Sequence, residues 1–347
     1  MTLVAGFSCG GPPAFVGDLL TSWRVPSSLK LPTREKEATF PTGEKTFAAG
    51  LTQKLIIVRP YLLIAWAGLT SEIHELVRKL NEVLPQKVEG LHNSADSLFR
   101  PLNELTDDVE VVAVVIDGDR IRPYCVHTRG FELDDRRYYL LGTGSSAAYN
   151  FLTEMSRYMP IPDNSEGFAA RSLLINFAAN ALMAQHISEY GLSEAWGGGF
   201  EVAYASKEGF AKVDNILVRC WSINPDRTLG SSGTSFLMHY QEEALLITSF
   251  GDIERTAAVP SPLSRSFNWN FRKKVMAEWT VDLFYRPDNG QHYCSVQYEY
   301  AWSRSKSHFI FREGRLTGWK MPRARVDKLV DMIKLDGPVR PFSVGNF

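Results

Sequence analysis

The N-terminal segment places residues that could do nucleophilic chemistry at a spacing that brings them together. Thr2 opens a short apolar run, a Cys-Gly-Gly-Pro-Pro turn follows, and a second apolar run ends at Asp18. This pattern predicts a β-hairpin that returns the chain to its start and places Asp18 near Thr2. Removal of Met1 would give Thr2 a hydroxyl nucleophile and a free α-amine in one residue. We therefore expect the α-amine to act as the base, so that no histidine is needed.

The composition limits the classes of function that the chain can serve. It has 347 residues, of which 44% are hydrophobic and 22% charged, values typical of a globular protein with a sizeable core. The 38 basic and 39 acidic side chains nearly cancel, which leaves a formal net charge of −1. This balance gives no general attraction to nucleic acid or to anionic lipid, so we expect neither as a partner.

Targeting, membrane and metal signals are absent from the sequence pattern. The first basic residue is Arg24, and the longest apolar runs, 61–69 and 111–116, are too short to span a bilayer. The four cysteines are widely spaced and form no CxxC pair, which favours buried thiols in a reducing compartment. The seven histidines show no metal-ligand spacing. We expect a cytoplasmic protein without a cofactor or metal.

Hydrophobic periodicity predicts an α+β fold over the first two-thirds of the chain. The expected strands cover residues 55–58, 61–66, 109–116, 121–127, 138–141, 200–205 and 215–221. The expected helices begin at Ser71, at residue 147 and at residue 168, and residues 23–50 are expected to form a long surface excursion. Two consecutive helices after residue 147 do not alternate with strands. That order favours helix layers on antiparallel sheets over a doubly wound parallel sheet.

The composition shifts after residue 224, where tryptophan and tyrosine become frequent. Residues 230–233 have the composition of a flexible turn. Strands are expected over 275–285 and 293–302, joined by a Pro-Asp-Asn-Gly turn, and a short helix over 323–333. We therefore expect two domains, residues 1–224 and a β-rich extension over 225–347 whose role the sequence does not indicate.

From Thr2 to about Trp221 the chain resembles a proteasome β subunit and its bacterial ring-peptidase relatives, which are N-terminal-nucleophile (Ntn) hydrolases. The family's mature N-terminal threonine matches Thr2, and its aspartate sixteen residues later matches Asp18. The family's lysine matches Lys54, which precedes Gly68 by 68 − 54 = 14 residues, as in the family. The resemblance implies a four-layer αββα sandwich for this part of the chain.

Further positions extend the resemblance, and two of them depart from the family pattern. Ser22 matches a family hydroxyl residue and would bind an extended substrate backbone. Thr143, between Gly142 and Gly144, stands where the family has a serine near the nucleophile. Glu194 replaces the family's aspartate, and Gly197 replaces a serine that helps to position the threonine amine. The excursion over 23–50 is also longer than the family pattern.

The resemblance implies a threonine-type peptidase that cleaves peptide amide bonds through an acyl-Thr2 intermediate. Lys54 would favour the alkoxide-like form of the Thr2 oxygen, and Asp18 would hold Lys54 by a charge-assisted hydrogen bond. The Gly68 N–H would face the developing oxyanion. The family also implies a homo-oligomeric assembly, a peptide or protein substrate and an ATP-dependent unfoldase as a partner.

Two other classes of function remain open from the sequence. Gly197 favours a ring or scaffold subunit that keeps the fold and has lost turnover. The segment from Gly142 to Ala147 follows a strand and opens a helix, as a dinucleotide-binding fingerprint requires. Pro160 and Pro162 lead into a second helix instead of the parallel strand that such a site needs.

Overall fold

The computed structural model describes residues 2–23, 25, 29–34, 41–42, 46–89, 91, 95–118, 120–157, 167–188, 191–192, 196–206, 208–226, 228–251, 254–264, 277–285, 292–298, 308–312, 315–320 and 327. Within them the fold is mixed α and β with mostly strands. The strands are β1 (Val4–Ser8), β2 (Ala14–Asp18), β3 (Leu20–Trp23), β4 (Pro41–Thr42), β5 (Thr46–Leu51), β6 (Leu55–Arg59), β7 (Leu62–Gly68), β8 (Val109–Asp117), β9 (Arg120–Val126), β10 (Gly130–Leu133), β11 (Arg136–Leu141), β12 (Phe200–Ser206), β13 (Gly209–Lys212), β14 (Ile216–Ile223), β15 (Leu229–Gln241), β16 (Ala244–Phe250), β17 (Arg255–Val259), β18 (Trp279–Tyr285), β19 (His292–Tyr298), β20 (His308–Arg312) and β21 (Arg315–Lys320). The helices are α1 (Thr70–Val83), α2 (Ala95–Asn103), α3 (Ser145–Ser156) and α4 (Phe168–Ser188).

The predicted N-terminal hairpin is confirmed and lies at the centre of the first sheet. This antiparallel sheet has the order β10-β11-β1-β2-β12-β13. Within it Val4 pairs with Gly17 and with Leu141, and Asp18 pairs with Phe200. The hairpin therefore brings the chain start beside Asp18, and its neighbours bring residues near 141 and 200 to the same end of the sheet.

The second sheet has the order β6-β7-β8-β9 and packs against one face of the first sheet. The shared core holds side chains from both sheets, including Val4, Phe15, Leu63 and Val112. Near-continuous runs of β-branched and aliphatic residues, as in β7 and β8, suit strands that bury both faces. Lys54 lies immediately before β6, so this packing carries it towards β2 of the first sheet.

Helices cover the outer faces of these two sheets. The apolar positions Ile73, Leu76, Val77 and Leu80 of α1 recur at three-to-four spacing and pack on the second sheet together with Leu98 of α2. Helices α3 and α4 cover the other face of the first sheet, with Leu152, Leu174 and Leu182 in that core. Apolar helix faces and buried strand faces thus form two further cores on either side of the sheet pair.

A third sheet lies beyond α4, in the order β17-β16-β15-β14-β18-β19. Its strands β14 and β18 are parallel neighbours, and the predicted hairpin of β18 and β19 is confirmed. Phe236, Ile247 and Val281 of this sheet belong to the core that also holds the α4 side chains. The expected boundary after residue 224 falls between β14 and β15, which pair with each other. The two-domain division itself stays a prediction.

Several local predictions are wrong, and each has a physical reason. The excursion over 23–50 is not wholly at the surface, because β5 pairs with β3 and the Leu31 and Thr33 side chains are buried. Residues 230–233 belong to β15, since strand pairing with β14 outweighs their turn-like composition. Helix α2 was not predicted because Pro101 lies inside it. Short β10 and β13 carry too few apolar residues to stand out.

Other predictions agree with the structure or lie outside the described residues. Helix α1 begins at Thr70, one residue before the expected start, and α3 and α4 correspond to the two expected helices. The prediction of buried thiols is confirmed for Cys9 and Cys220 and is wrong for Cys125, whose thiol is exposed. The helix expected over 323–333 lies outside the described residues, apart from Asp327. No helix in the described part of the chain is long and apolar enough to cross a membrane.

Candidate functional site

Asp18 is the buried centre of the candidate site. It ends β2 with no exposed surface, and both of its carboxylate oxygens accept backbone N–H donors. Oδ1 accepts from Leu3 at 3.0 Å, and Oδ2 accepts from Gly197 at 2.8 Å. Its own N–H donates to the Leu3 carbonyl at 2.9 Å. The carboxylate therefore fixes the chain start against a loop that lies 179 residues further along the sequence.

Lys54 is a buried cation whose charge acts on the Asp18 carboxylate. The side chain is 1% exposed, and its Nζ lies 4.3 Å from the centroid of the Trp66 ring. Burial lowers the pKa of Lys54, whereas the negative charges of Asp18 and Glu201 raise it. Among the described contacts the predicted charge-assisted hydrogen bond between Asp18 and Lys54 is not present. The two side chains interact through their charges, and the Asp18 oxygens accept from the backbone N–H groups of Leu3 and Gly197.

The electrostatics of Asp18 reflect the same competition. Burial raises its pKa from 3.8 to about 6, while Lys54 and the two backbone N–H donors act in the opposite direction. A buried carboxylate without a nearby cation would favour the neutral acid, since a low-dielectric interior penalises the charged form. The two backbone N–H donors and the field of Lys54 therefore offset part, but not all, of the cost of burying the Asp18 charge.

Thr2 is held by the turn that precedes α3. The residue is 1% exposed, and its carbonyl oxygen accepts from the Gly144 N–H at 3.1 Å. Gly142 has φ +79°, and a Cβ there would lie 2.8 Å from the Thr2 carbonyl carbon. Only glycine permits this approach, because it has no Cβ and tolerates positive φ. The glycines of the Gly142–Gly144 turn thus serve to hold Thr2.

Gly197 leaves a space that another side chain fills. With φ +122°, a Cβ on residue 197 would overlap the Gln185 side-chain amide nitrogen and lie 2.9 Å from its Cδ. Gln185 is fully buried, and its Oε1 accepts from Thr33 Oγ1 at 2.8 Å and from the Gly198 N–H at 3.0 Å. The space beside residue 197 is therefore filled by an amide from α4, which Thr33 anchors.

The structure places three of the four other predicted residues. Gly68 ends β7, where it pairs with Val109 and is exposed. Ser22 lies on β3, an edge strand of the small sheet β3-β5-β4, and is half-buried opposite Ala48. Thr143 is exposed in the turn that holds Thr2. Glu194 lies outside the described residues, so the structure does not place it.

Sequence reasoning missed three polar residues that contact the site. Glu201 is buried on β12, and its Oε1 accepts from the Lys54 N–H at 2.5 Å and the Leu55 N–H at 2.7 Å. Glu110 Oε2 accepts from the Gly142 N–H at 2.7 Å. Gln185 is the third. The alternation of β12 could have revealed Glu201, since a carboxylate at an inward position must find a partner. Nothing in the sequence spacing reveals the other two.

The structure also bears on cofactor chemistry. The Gly142–Gly144 turn follows β11, whose neighbours β1 and β10 are both antiparallel to it, and it is closed against Thr2. It therefore does not present the open strand–turn–helix cradle on which a dinucleotide phosphate would lie. Within the described ranges, no group of three or more His, Cys, Asp or Glu side chains could hold a metal ion.

The arrangement thus joins a buried carboxylate, a buried cation and the chain start at one end of the first sheet. The residues of the candidate site, which include Gly197, are separated by up to 197 − 2 = 195 positions in the sequence. The chain matches no protein-family model and no curated protein sequence.

Proposed function

We propose that this chain is a threonine-type Ntn hydrolase that cleaves peptide amide bonds through an acyl-Thr2 intermediate. The observation that carries the proposal is the convergence at Asp18, whose two oxygens bind the N–H groups of Leu3 and Gly197 beside buried Lys54. A buried carboxylate and a buried ammonium both cost desolvation free energy, and such groups concentrate at functional sites.

The layer order supports the same fold family. Helices α1 and α2, the second sheet, the first sheet, and helices α3 and α4 follow one another through three apolar cores. This succession supports the αββα sandwich that we propose for this part of the chain. The third sheet, which lies beyond α4, would be an addition to that sandwich.

The proposed chemistry needs a free Thr2 α-amine and uses each residue at a definite atom. The amine, with an ordinary pKa near ~8, accepts the proton of the Thr2 hydroxyl as Oγ attacks the substrate carbonyl carbon. The field of Lys54 lowers the energy of the developing negative charge on that oxygen, and the Gly68 N–H faces the oxyanion. The proton then passes to the leaving amine, which yields an acyl ester on Thr2. A water molecule hydrolyses the ester and restores the hydroxyl.

Intact mass and a covalent probe test this proposal together. Mature protein should lack Met1, and an electrophilic peptide directed at N-terminal threonine should add once, at Thr2. Thr2→Ala should abolish labelling, whereas Thr153→Ala should retain it. Thr153 lies on α3 with its hydroxyl donating to the Tyr149 carbonyl at 2.7 Å, which makes this variant a matched control for a lost threonine hydroxyl. Labelling of Thr2→Ala at the wild-type rate would place the nucleophile elsewhere.

A non-catalytic scaffold subunit is the second candidate, and two observations favour it. Gly197 cannot supply a hydroxyl, and the Gln185 amide fills the corresponding space. Intact mass separates the candidates, because a retained Met1 blocks the Thr2 amine. A chain with a free Thr2 that cleaves nothing in a fluorogenic peptide library would favour the scaffold.

The remaining parts of the proposal concern assembly and partners. We propose a homo-oligomer that encloses the nucleophiles, a peptide or protein substrate, and an ATP-dependent unfoldase that supplies it. Sedimentation should give a mass above that of the 39.0 kDa monomer at micromolar concentration. A monomer under those conditions would count against the assembly but leave the chemistry of Thr2 open.

A further inference from the structure

The segment that carries Lys54 is attached to the third sheet by two separate sets of hydrogen bonds. Gln53, directly before Lys54, is buried, and its Nε2 donates to the carbonyls of Glu243 at 2.8 Å and Val259 at 2.9 Å. Glu243 lies in the turn between β15 and β16, and Val259 ends β17. One side of the Lys54 segment is therefore fixed by residues after position 225.

The second set passes through Glu201. Its Oε1 accepts the N–H groups of Lys54 and Leu55, and its Oε2 accepts from Lys212 Nζ and from the Tyr240 hydroxyl at 3.1 Å. Tyr240 belongs to β15 of the third sheet. The carboxylate thus uses one oxygen for the Lys54 backbone and the other for a cation and a phenol.

Glu201 is a buried anion that forms an ion pair. The Glu201 side chain has no exposed surface, and its charge is compensated by Lys212. The Lys212 ammonium also donates to the Leu55 carbonyl. Lys212 Nζ lies 5.5 Å from the centroid of the Tyr240 ring as well. Charge-assisted hydrogen bonds in a buried network are stronger than neutral ones and fix the orientation of their members.

We propose that the third sheet positions Lys54 in the candidate site. Glu201 and Tyr240 are the positioning residues through which it does so. The role of the β-rich extension is then to hold residues 53–55, at the start of β6, in place relative to Asp18. The inference deepens the proposed function, but its structural part does not depend on catalysis.

The charged and titratable groups around Lys54 come from three elements, and a fourth supplies an aromatic ring. Asp18 lies on β2, Glu201 on β12, and His74 on α1, while Trp66 of β7 presents its ring. The field of Lys54 and partial burial both lower the pKa of His74. Loss of the Glu201 charge leaves Asp18 as the remaining anion that raises the pKa of Lys54. The Lys54 ammonium should then lose its proton at lower pH.

Hydrogen exchange of the Lys54 and Leu55 amides tests the positioning without any assay of activity. Tyr240→Phe removes the phenol donor to Glu201, and we expect both amides to exchange about tenfold faster, as for the loss of ~1.4 kcal/mol of local protection. Tyr138→Phe is the matched control, because the Tyr138 hydroxyl forms a buried 2.8 Å hydrogen bond to Ser156 Oγ outside this network. Unchanged exchange at both amides in Tyr240→Phe would overturn the inference.

Kinetics give a readout that a purely structural role would not move. Tyr240→Phe should lower kcat and leave KM unchanged, and Glu201→Gln should move the alkaline limb of the pH–rate profile to lower pH. Circular dichroism checks that Glu201→Gln folds; if it does not, Tyr240→Phe alone decides the inference. If the amides of Tyr240→Phe exchange faster but the wild-type chain has no hydrolase activity, the result supports the positioning and contradicts the proposed hydrolase.

Discussion

Replacing Gly197 by serine tests how the chain accommodates the missing hydroxyl. The substitution restores the residue type that the family pattern has at this position, yet the structure predicts damage. The added Cβ would overlap the Gln185 amide, and the backbone has φ +122°. Gln185 would have to leave the space in which its Oε1 accepts from Thr33 and Gly198.

The expected cost follows from these contacts. A non-glycine residue in that backbone region costs about 1–3 kcal/mol. Leaving the Thr33 hydroxyl and the Gly198 N–H buried without their acceptor costs about 1–3 kcal/mol each. Gly197→Ser should therefore lower the free energy of unfolding by at least about 3 kcal/mol. With a urea m-value near ~3 kcal/mol/M, the midpoint should fall by about 1 M or more.

Urea denaturation followed by tryptophan fluorescence is a suitable assay. Gly118→Ser is the matched control, because Gly118 also has positive φ (+61°) but a Cβ there meets nothing within 4 Å, so ~1 kcal/mol is expected. Adding Gln185→Ala should offset part of the Gly197→Ser loss, with a coupling of about 1–3 kcal/mol. Gly197→Ser as stable as Gly118→Ser would refute the steric reasoning, as would strict additivity of the double variant.

Three further predictions concern the charged centre. Thr2→Ala should abolish hydrolysis of a fluorogenic peptide library with an unchanged circular dichroism spectrum, Thr2→Ser should keep part of it, and adding Lys54→Ala to Thr2→Ala should cause no further loss. Asp18→Asn should lower the free energy of unfolding by about 1–3 kcal/mol in urea, because one of the two backbone N–H donors then faces an amide NH₂. Since burial raises the folded-state pKa of Asp18 from 3.8 to about 6, its contribution to stability is complete below pH 3.8 and is lost as the pH rises through 6. The stability difference between wild type and Asp18→Asn should shrink by up to about 3 kcal/mol between pH 4 and pH 7, and a difference that grows instead would contradict the burial argument.

The hairpin and its neighbours could be predicted because their information is local. Two apolar runs around a Gly-Gly-Pro-Pro turn specify β1 and β2, and the 16-residue offset places Asp18 beside the chain start. The two long helices and the buried strand β8 follow equally from periodicity. Within the candidate site, the same local logic gave Thr2, Asp18 and the turn at Gly142.

The rest of the site depends on contacts between distant residues, which periodicity does not contain. Gln185 has the sequence context of any polar residue on a helix, and its role appears only when α4 lies beside Gly197. Thr33 lies in a segment whose prolines predicted a surface excursion, but Leu31 and Leu20 share an apolar cluster that draws it inwards. Glu201 became informative once β12 was placed next to β2 and β6.

Thr2 is synthesised long before the residues that bury it. Its carbonyl is held by Gly144, which follows it by 144 − 2 = 142 residues, and Gly197 is synthesised later still. At a synthesis rate of ~5–20 residues per second, Gly144 therefore follows Thr2 after roughly 7–28 s and Gly197 after roughly 10–39 s. The proposed function requires an aminopeptidase to remove Met1, and the folded chain leaves Thr2 only 1% exposed. On that proposal, the interval before the fold encloses Thr2 is the time in which removal of Met1 meets no folded structure.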